Sequence, residues 1–362
     1  MTDNKSETKP ETKKLIYGIV IAAIVVIALV VAFLVLGAPG VKDTPSASAS
    51  AAVASTPVPT AAPPVTVAAA VTTTPATSQL SGSITLSGAF ALYPLAVVWA
   101  SEYEKTHPNV KVQVSAGGAG KGITDAIGGL SDIGMSSRAL TDAEVGKGAY
   151  AIPVTTDAVV PVINAKNPVA NVILAQGINQ STWKKIYINR SVVNWGQVAG
   201  EPWITDKISL LTRSDSSGAA DVWAQYAGGK AQADLRGIGV YGDPGILSEV
   251  LKDPLAVGYN NINYAYDANT SLPVSGVLVP PFQLSNGTVL DISTKDKTLA
   301  AIKAKTFPYP PARVDSFVTK GKPSGVTADF IHWTLTDGQK FVDANGYVQL
   351  PDANLTASLA EL

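Results

Sequence analysis

Most of the chain, from Leu80 onward, alternates between two hydrophobic patterns. Residues Ser83–Ser87 and Val110–Val114 alternate apolar and polar side chains, as a half-buried β-strand does. Leu95–Lys105 instead carries its apolar residues at the spacing of one helix face. The two patterns follow one another as strand, helix, strand, helix, strand as far as Ser136. This order predicts an α/β fold with a mainly parallel sheet and helices on both faces.

The N-terminal region has a different pattern, because Leu15–Leu36 is apolar and carries no charge. At 1.5 Å per residue such a helix crosses bilayer hydrocarbon roughly 30 Å thick. Lys13 and Lys14 before it favour a cytoplasmic tail at 1–14. We predict an uncleaved single-pass anchor in the cell membrane, with the rest of the chain on the extracytoplasmic face. The alternative is a cleaved signal peptide, whose apolar core is usually about 7–15 residues long.

Residues 37–80 connect this segment to the patterned part of the chain. They are dominated by Ala, Ser, Thr, Pro and Val, with very few charges. Such a composition buries too little apolar surface to fold, so we predict an extended linker. Residues 81–362 are then expected to form a domain that folds alone and is monomeric.

Composition excludes several classes of function. The chain has no cysteine and two histidines, which rules out disulfides, thiol catalysis and a lipidated N-terminal cysteine. His107 and His332 are isolated, so no metal or other cofactor is predicted. The net charge of −1 offers no basic footprint for nucleic acid.

Four polar or glycine-rich loops stand at predicted strand ends, where α/β sheets bind their ligands. They are Ser87–Pro94, Gly117–Gly122, Ser136–Arg138 and Arg213–Ala219. Three of them open directly into a helix, and helix N-termini present unpaired N–H groups that attract anions. Each loop taken singly is equally consistent with an ordinary tight turn. Together they predict an oxyanion site.

An ordered set of motifs resembles the PstS-type phosphate-binding proteins from about residue 80 to the C-terminus. The motifs are Gly88–Pro94, Gly117–Ile123, Ser131–Arg138, Arg213–Gly218, Tyr309–Arg313, Thr319–Gly325 and 338–348. The resemblance implies a two-lobed, periplasmic-binding-protein-like (type II) fold with hinge crossovers near 155–160 and 260–264. Lobe one would comprise 81–157 and 264–362, and lobe two 158–263.

The resemblance also implies a function and its partners. The protein would be the substrate-binding protein of an ABC transporter, capture phosphate between its lobes, and dock on a permease driven by a cytoplasmic ATPase. It would not be an enzyme. The residues expected to contact the anion are Ala91, Leu92, Tyr93, Ala119, Gly120, Gly122, Ser136, Ser137, Arg138, Arg213, Ser217, Gly218 and Ala219. Asp215 is expected to orient Arg213 by a salt bridge, and Arg138 is equally consistent with a surface arginine paired to a carboxylate.

The chain departs from the family pattern at several of these positions. Residues 89–92 offer no hydroxyl, and Ala119 and Ala219 replace a serine and a threonine. Ser137 falls where some members place an aspartate that accepts the proton of hydrogen phosphate. Molybdate, tungstate or sulfate therefore remain alternative ligands. A surface sensor or adhesion domain of the same fold is a further alternative, whereas no nucleophile–base pair supports a hydrolase.

Overall fold

The computed structural model describes residues 80–362, and the fold is given for these residues. The predicted cytoplasmic tail, the anchor Leu15–Leu36 and the linker before Leu80 lie outside this range. Among the described helices, none combines the length and the apolar character needed to cross a bilayer.

Strands and helices alternate along the chain, as the sequence pattern predicted. The strands are β1 Gly82–Gly88, β2 Val110–Ala116, β3 Ile133–Ser136, β4 Ala149–Asn164, β5 Ile178–Asn179, β6 Ser209–Arg213, β7 Ile238–Val240, β8 Ala256–Asn261, β9 Val277–Leu278, β10 Phe282–Gln283 and β11 Ala312–Lys320. The helices are α1 Tyr93–Thr106, α2 Ala119–Gly128, α3 Asp142–Gly146, α4 Ala170–Gln176, α5 Gln180–Tyr187, α6 Trp195–Ala199, α7 Gly218–Tyr226, α8 Gly242–Lys252, α9 Ile262–Ala265, α10 Lys295–Lys303, α11 Gly325–Leu335 and α12 Asp352–Ala360.

One mixed sheet runs through the domain in the order β2-β1-β3-β11-β4-β8-β6-β7, with β9 also paired to β4. The β1, β2 and β3 strands are parallel to one another, and so are β6, β7 and β8. Between these groups, β11 and β4 run antiparallel to their neighbours. The prediction of an α/β fold is confirmed, but its parallel strands form two groups joined by an antiparallel pair.

The long strand β4 carries the chain from one lobe to the other. Ala158 is the last β4 residue paired with β11, and Val159 is the first paired with β8, inside the crossover predicted at 155–160. The return is different, because residues 265–307 bury their apolar side chains in the core of lobe two. This packing moves the boundary predicted near 264 to about Ala312, where β11 starts. Lobe one therefore comprises 80–158 and 312–362, and lobe two 159–311.

Each lobe has its own hydrophobic core, and each core supports loops of the predicted site. In lobe one, Trp99 of α1 packs edge-on against Phe317 of β11, with ring centroids 5.7 Å apart. In lobe two, Trp223 of α7 stacks on Tyr259 of β8 at 5.5 Å. These buried aromatic contacts fix α1 and α7 on the sheet, and thereby fix the positions of their N-termini.

Candidate functional site

The second and fourth predicted loops meet where the two lobes face each other. The Gly120 N–H donates a hydrogen bond of 3.0 Å to the Ser216 carbonyl. A Cβ atom on Gly118 would lie 2.7 Å from Asp215 Oδ2, and one on Gly120 would lie 2.0 Å from Ser216 Oγ. Because both positions are glycine, the N-terminus of α2 can contact the loop that enters α7.

The third loop also reaches the α7 N-terminus. A Cβ atom on Gly218 would lie 2.3 Å from Ser137 Oγ and 2.7 Å from the Ser137 carbonyl oxygen. Ser137 and Gly218 are therefore in direct contact across the lobes. The neighbouring Ser136 hydroxyl donates to the Arg138 carbonyl at 2.9 Å, which closes the turn after β3.

The first loop is a rigid turn in front of α1. The N–H groups of Leu92 and Tyr93 each lie 3.2 Å from the Ala89 carbonyl oxygen, so both are directed into the turn. The Tyr347 hydroxyl donates to the Ala91 carbonyl at 2.5 Å and fixes the loop from the C-terminal side. Two of the three N–H groups predicted to face an anion here thus have partners within the loop.

Arg213 lies at the end of β6 between two carboxylates. Its Nε and Nη2 donate to Asp215 Oδ1 and Oδ2 at 2.8 and 2.7 Å, and its Nη1 donates to Asp243 Oδ2 at 2.7 Å. The Arg213 side chain is 1% exposed, and the two carboxylates are 3% and 0% exposed. Burial lowers the pKa of Arg213, but the attraction of Asp243 and the hydrogen bonds that the guanidinium donates to Asp215 outweigh it and raise this pKa, so the guanidinium is charged. Three of its five N–H groups are used, which leaves two for another acceptor.

Asp243 is a residue that sequence reasoning missed. Its Oδ1 accepts from the Asn261 backbone N–H at 2.8 Å, and its Oδ2 accepts from Asn261 Nδ2 at 2.9 Å. It follows Gly242 in the first turn of α8, and an acidic residue at a helix start was the available signal. Asp215 and Asp243 together more than offset the positive charge of Arg213, because the formal charges of the three side chains sum to −1.

Phe90 is a second residue that sequence reasoning missed. Its ring lies 5.2 Å from the Arg213 guanidinium carbon and packs edge-on against Tyr241 at 5.7 Å. A Cβ atom on Gly242 would lie 2.8 Å from the ring. Phe90 belongs to lobe one and its three partners to lobe two, so it is an interlobe contact directly over the arginine. An aromatic side chain within a loop of small residues was the signal in the sequence.

Gln232 organises the fourth loop, and nothing in the sequence pattern pointed to it. Its Nε2 donates to the carbonyls of Arg213 and Asp215 at 3.1 and 2.7 Å, and its Oε1 accepts from the Ser217 N–H at 2.9 Å. The Ser217 hydroxyl in turn accepts from the Ala220 N–H at 3.3 Å as the cap of α7. Gln232 and Ser217 thus fix the loop and the first turn of α7 in position.

Several predicted site residues have other partners. The Gly122 N–H lies 3.2 Å from the Gly118 carbonyl, and a Cβ there would lie 2.6 Å from the Ser87 carbonyl. Gly122 therefore serves the packing of α2 on the sheet. Arg138 donates to Glu144 Oε1 and Oε2 at 2.7 and 2.9 Å and lies 3.3 Å from Asp221. Arg138 therefore has the carboxylate partners that the alternative interpretation expects, and its role as an anion ligand stays a prediction.

Comparison with known proteins identifies the family. The sequence model of the PBP superfamily domain matches residues 73–338. The chain belongs to the PBP superfamily. It is 28% identical over 279 residues to the phosphate-binding protein PstS of Bacillus subtilis (strain 168), covering 76% of this chain and 83% of that protein. The predicted resemblance to PstS-type proteins is thereby confirmed.

Solved structures agree on the fold of this PBP-superfamily domain. A putative phosphate ABC transporter substrate-binding protein with bound phosphate from Clostridium perfringens aligns with a TM-score of 0.61 at 23% identity, covering 75% of this chain and 100% of that one. An ABC-type phosphate transport receptor from Vibrio cholerae aligns with a TM-score of 0.54 at 23% identity, covering 74% and 100%. At this level of identity the likeness establishes the two-lobed fold.

A buried ionic cluster lies where the two lobes of the PBP domain join. Arg313 of β11 pairs in register with Asp157 of β4, and its Nη2 donates to Asp157 Oδ2 at 3.1 Å and to Asn261 Oδ1. Asp315 is fully buried, and neither of its carboxylate oxygens has a hydrogen-bond partner among the described residues. Burial raises the pKa of Asp157 to about 7 and raises that of Asp315 well above its ordinary value, with the charge of Asp157 adding to the latter.

No group of three or more His, Asp or Glu side chains suited to a metal ion occurs within residues 80–362. The polar chemistry of the cleft in that range consists of main-chain N–H groups, hydroxyls and the Arg213 cluster. Such a set of donors suits a ligand that accepts hydrogen bonds.

Proposed function

We propose that this chain is an extracytoplasmic substrate-binding protein of an ABC transporter and that it captures phosphate between its two lobes. The observation that carries the proposal is the meeting of the α2 and α7 N-termini beside Arg213. Membership of the PBP superfamily and the likeness to the PstS protein of Bacillus subtilis support the same ligand class.

The ligand-binding chemistry would rest on donors more than on net charge. Arg213 keeps two N–H groups beyond its bonds to Asp215 and Asp243, and these can be directed at one anion. The first turn of α7 and the α2 N-terminus add main-chain N–H groups with the partial positive charge of a helix start. The formal charges of Arg213, Asp215 and Asp243 sum to −1, so this cluster does not attract an anion by net charge. The oriented N–H groups must therefore contribute a large share of the binding energy.

Within the predicted set, the geometry favours some residues over others. The favoured residues lie in the converging loops and are Ala91, Ala119, Ser137, Gly218 and Ala219, together with Arg213. Gly120 would act through its hydrogen bond to the Ser216 carbonyl. Ser136 and Ser217 contribute by holding turns and caps, and Asp215 by holding the guanidinium. Gly122 and Arg138 would act through packing and through a carboxylate pair.

Selectivity is the part of the proposal that depends on Ser137. Hydrogen phosphate carries a proton that needs an acceptor, and sulfate carries none at neutral pH. The Ser137 hydroxyl oxygen can accept a hydrogen bond from the P–OH group of hydrogen phosphate, but the hydroxyl can equally donate a hydrogen bond to sulfate. We therefore expect weaker discrimination against sulfate than a carboxylate at this position would provide.

The partners and the location follow from the same proposal. The closed protein would deliver its ligand to an ABC permease powered by a cytoplasmic ATPase, and it would itself be no enzyme. The anchor at Leu15–Leu36 would hold the domain at the outer face of the cell membrane through the linker 37–80.

Isothermal titration of the full-length protein with phosphate, sulfate, molybdate and tungstate tests the ligand. We expect saturable binding of phosphate, with sulfate as the closest competitor. Tighter binding of one of the other three anions would keep the transport receptor and replace its ligand. If none of the four binds, the oxyanion proposal fails, and a sensor or adhesion domain of the same fold takes its place.

A further inference from the structure

We propose that Arg138 and Asp221 form a latch between the lobes that sets how long the closed state lasts. Arg138 follows β3 in lobe one, and Asp221 lies in the first turn of α7 in lobe two. Arg138 Nε lies 3.3 Å from Asp221 Oδ2. The ionic contact therefore joins the lobes directly next to the Ser137–Gly218 contact.

On the lobe-one side, Arg138 is held in position by its own lobe. Glu144 accepts two hydrogen bonds from its Nη1 and Nη2, and the Ala139 carbonyl accepts a third at 2.9 Å. Glu144 is itself fixed by the capping box of α3, in which it accepts from the Thr141 N–H at 2.8 Å. The guanidinium is thus oriented toward lobe two by contacts that do not depend on closure.

On the lobe-two side, Asp221 is held in a comparable way. Its Oδ1 accepts from the Gln232 N–H at 2.8 Å, which leaves Oδ2 to face Arg138. Gln232 also fixes the loop from Arg213 to Ser217. The latch is therefore connected through one residue to the loop that would bind the anion.

Preorganisation on both sides distinguishes this pair from an ordinary surface ion pair. The Arg138 and Asp221 side chains are 13% and 20% exposed, and a cavity of about 340 Å³ beside Arg138 admits solvent. Exposed pairs contribute up to about 1 kcal/mol, largely because ordering two long side chains is costly. Here that cost is already met within each lobe, so loss of the pair should raise the open-to-closed ratio roughly three- to tenfold.

The inference rests on the proposed function for its ligand, but its geometry can be tested without one. The chain has no cysteine, so spin labels can be placed at Leu130→Cys in lobe one and Trp203→Cys in lobe two. Both side chains are highly exposed, at 78% and 75%. Distance distributions between the labels then report the open and closed populations of the full-length protein, with and without phosphate.

The test variant is Asp221→Asn, which keeps the shape and removes the charge. Asp291→Asn is the matched control, because Asp291 pairs with Lys297 at 2.7 Å within one lobe. We expect Asp221→Asn to increase the open fraction and to speed phosphate release three- to tenfold, while the control leaves both unchanged. Raising the salt concentration should reproduce the effect in the wild type and not in the variant.

A second variant keeps the test independent of one substitution. Arg138→Gln breaks the same contact from lobe one, and the double variant should release phosphate no faster than the faster single variant, because both remove one interaction. Unchanged distances and unchanged release in Asp221→Asn, with thermal unfolding as in the wild type, would overturn the latch. If the wild type binds no phosphate, the proposed function fails, and the distance measurement alone decides on the latch.

Discussion

Replacing Arg213 by alanine is the sharpest perturbation of the candidate site. The substitution removes three charge-assisted hydrogen bonds, two to Asp215 and one to Asp243, from a side chain that is 1% exposed. Asp215 would keep the Gly242 N–H at 3.0 Å as a donor, and Asp243 would keep the two donors of Asn261. Both carboxylates would remain buried without their cation.

The structure therefore predicts two separate losses. Breaking a buried ion pair by removing one partner costs about 3–5 kcal/mol of folding free energy, because the remaining charge is uncompensated. Truncating a buried charged partner of a ligand costs about 2–5 kcal/mol in binding, which is roughly 30-fold or more in affinity. Arg213→Lys should recover part of both, since a point charge reaches only one carboxylate and lacks the planar fork.

Urea unfolding followed by tryptophan fluorescence measures the first loss. Titration calorimetry with phosphate in the absence of urea measures the second. Arg236→Ala is the control, because Arg236 is an exposed arginine of the same lobe. An unfolding free energy equal to that of the wild type would refute the structural role of the cluster. Unchanged phosphate affinity in a folded Arg213→Ala protein would refute its role as an anion partner.

Three further predictions follow from particular contacts. Gly218→Ala places a methyl group 2.3 Å from Ser137 Oγ, so closure should be obstructed and phosphate affinity should fall roughly tenfold. Gly146→Ala is the control, because its methyl group meets open space, and it should bind phosphate normally in the same titration. At pH values above neutral, Asp315→Asn should raise the thermal unfolding midpoint. The raised pKa of Asp315 means that folding takes up a proton, so wild-type stability falls as pH rises above the ordinary value of 3.8. An unchanged pH profile of stability in the variant would contradict this. The hydrogen bonds from Arg138 lower the pKa of Glu144 to about 2. The contribution of Glu144 to folding stability is therefore complete above the ordinary value of 4.5 and is lost as pH falls toward 2. The destabilisation by Glu144→Gln in thermal melts should shrink over that interval.

The family and the positions of the loops could be predicted from the sequence because they depend on local chemistry. Alternating strands, helical spacing and glycine-rich turns are encoded within a few neighbouring residues, and strand ends determine where an α/β sheet gathers its loops. The pair formed by Arg213 and Asp215 belongs to the same local level, since the two residues are separated by one position. The sequence alone therefore sufficed for the α/β class, the PstS-type resemblance and the approximate site.

Tertiary structure decided which residues meet across the lobes. Asp243 lies 30 residues beyond Arg213, and Phe90 reaches the same guanidinium from the other lobe. Likewise, residues 265–307 pack with lobe two although they follow the predicted crossover, because burying their apolar side chains there outweighs their order along the chain. Contacts of this kind depend on long-range packing and on the burial of charge, which no local pattern encodes. The pairing of Arg138 with Asp221 and of Arg213 with Asp243 therefore emerged only from the folded chain.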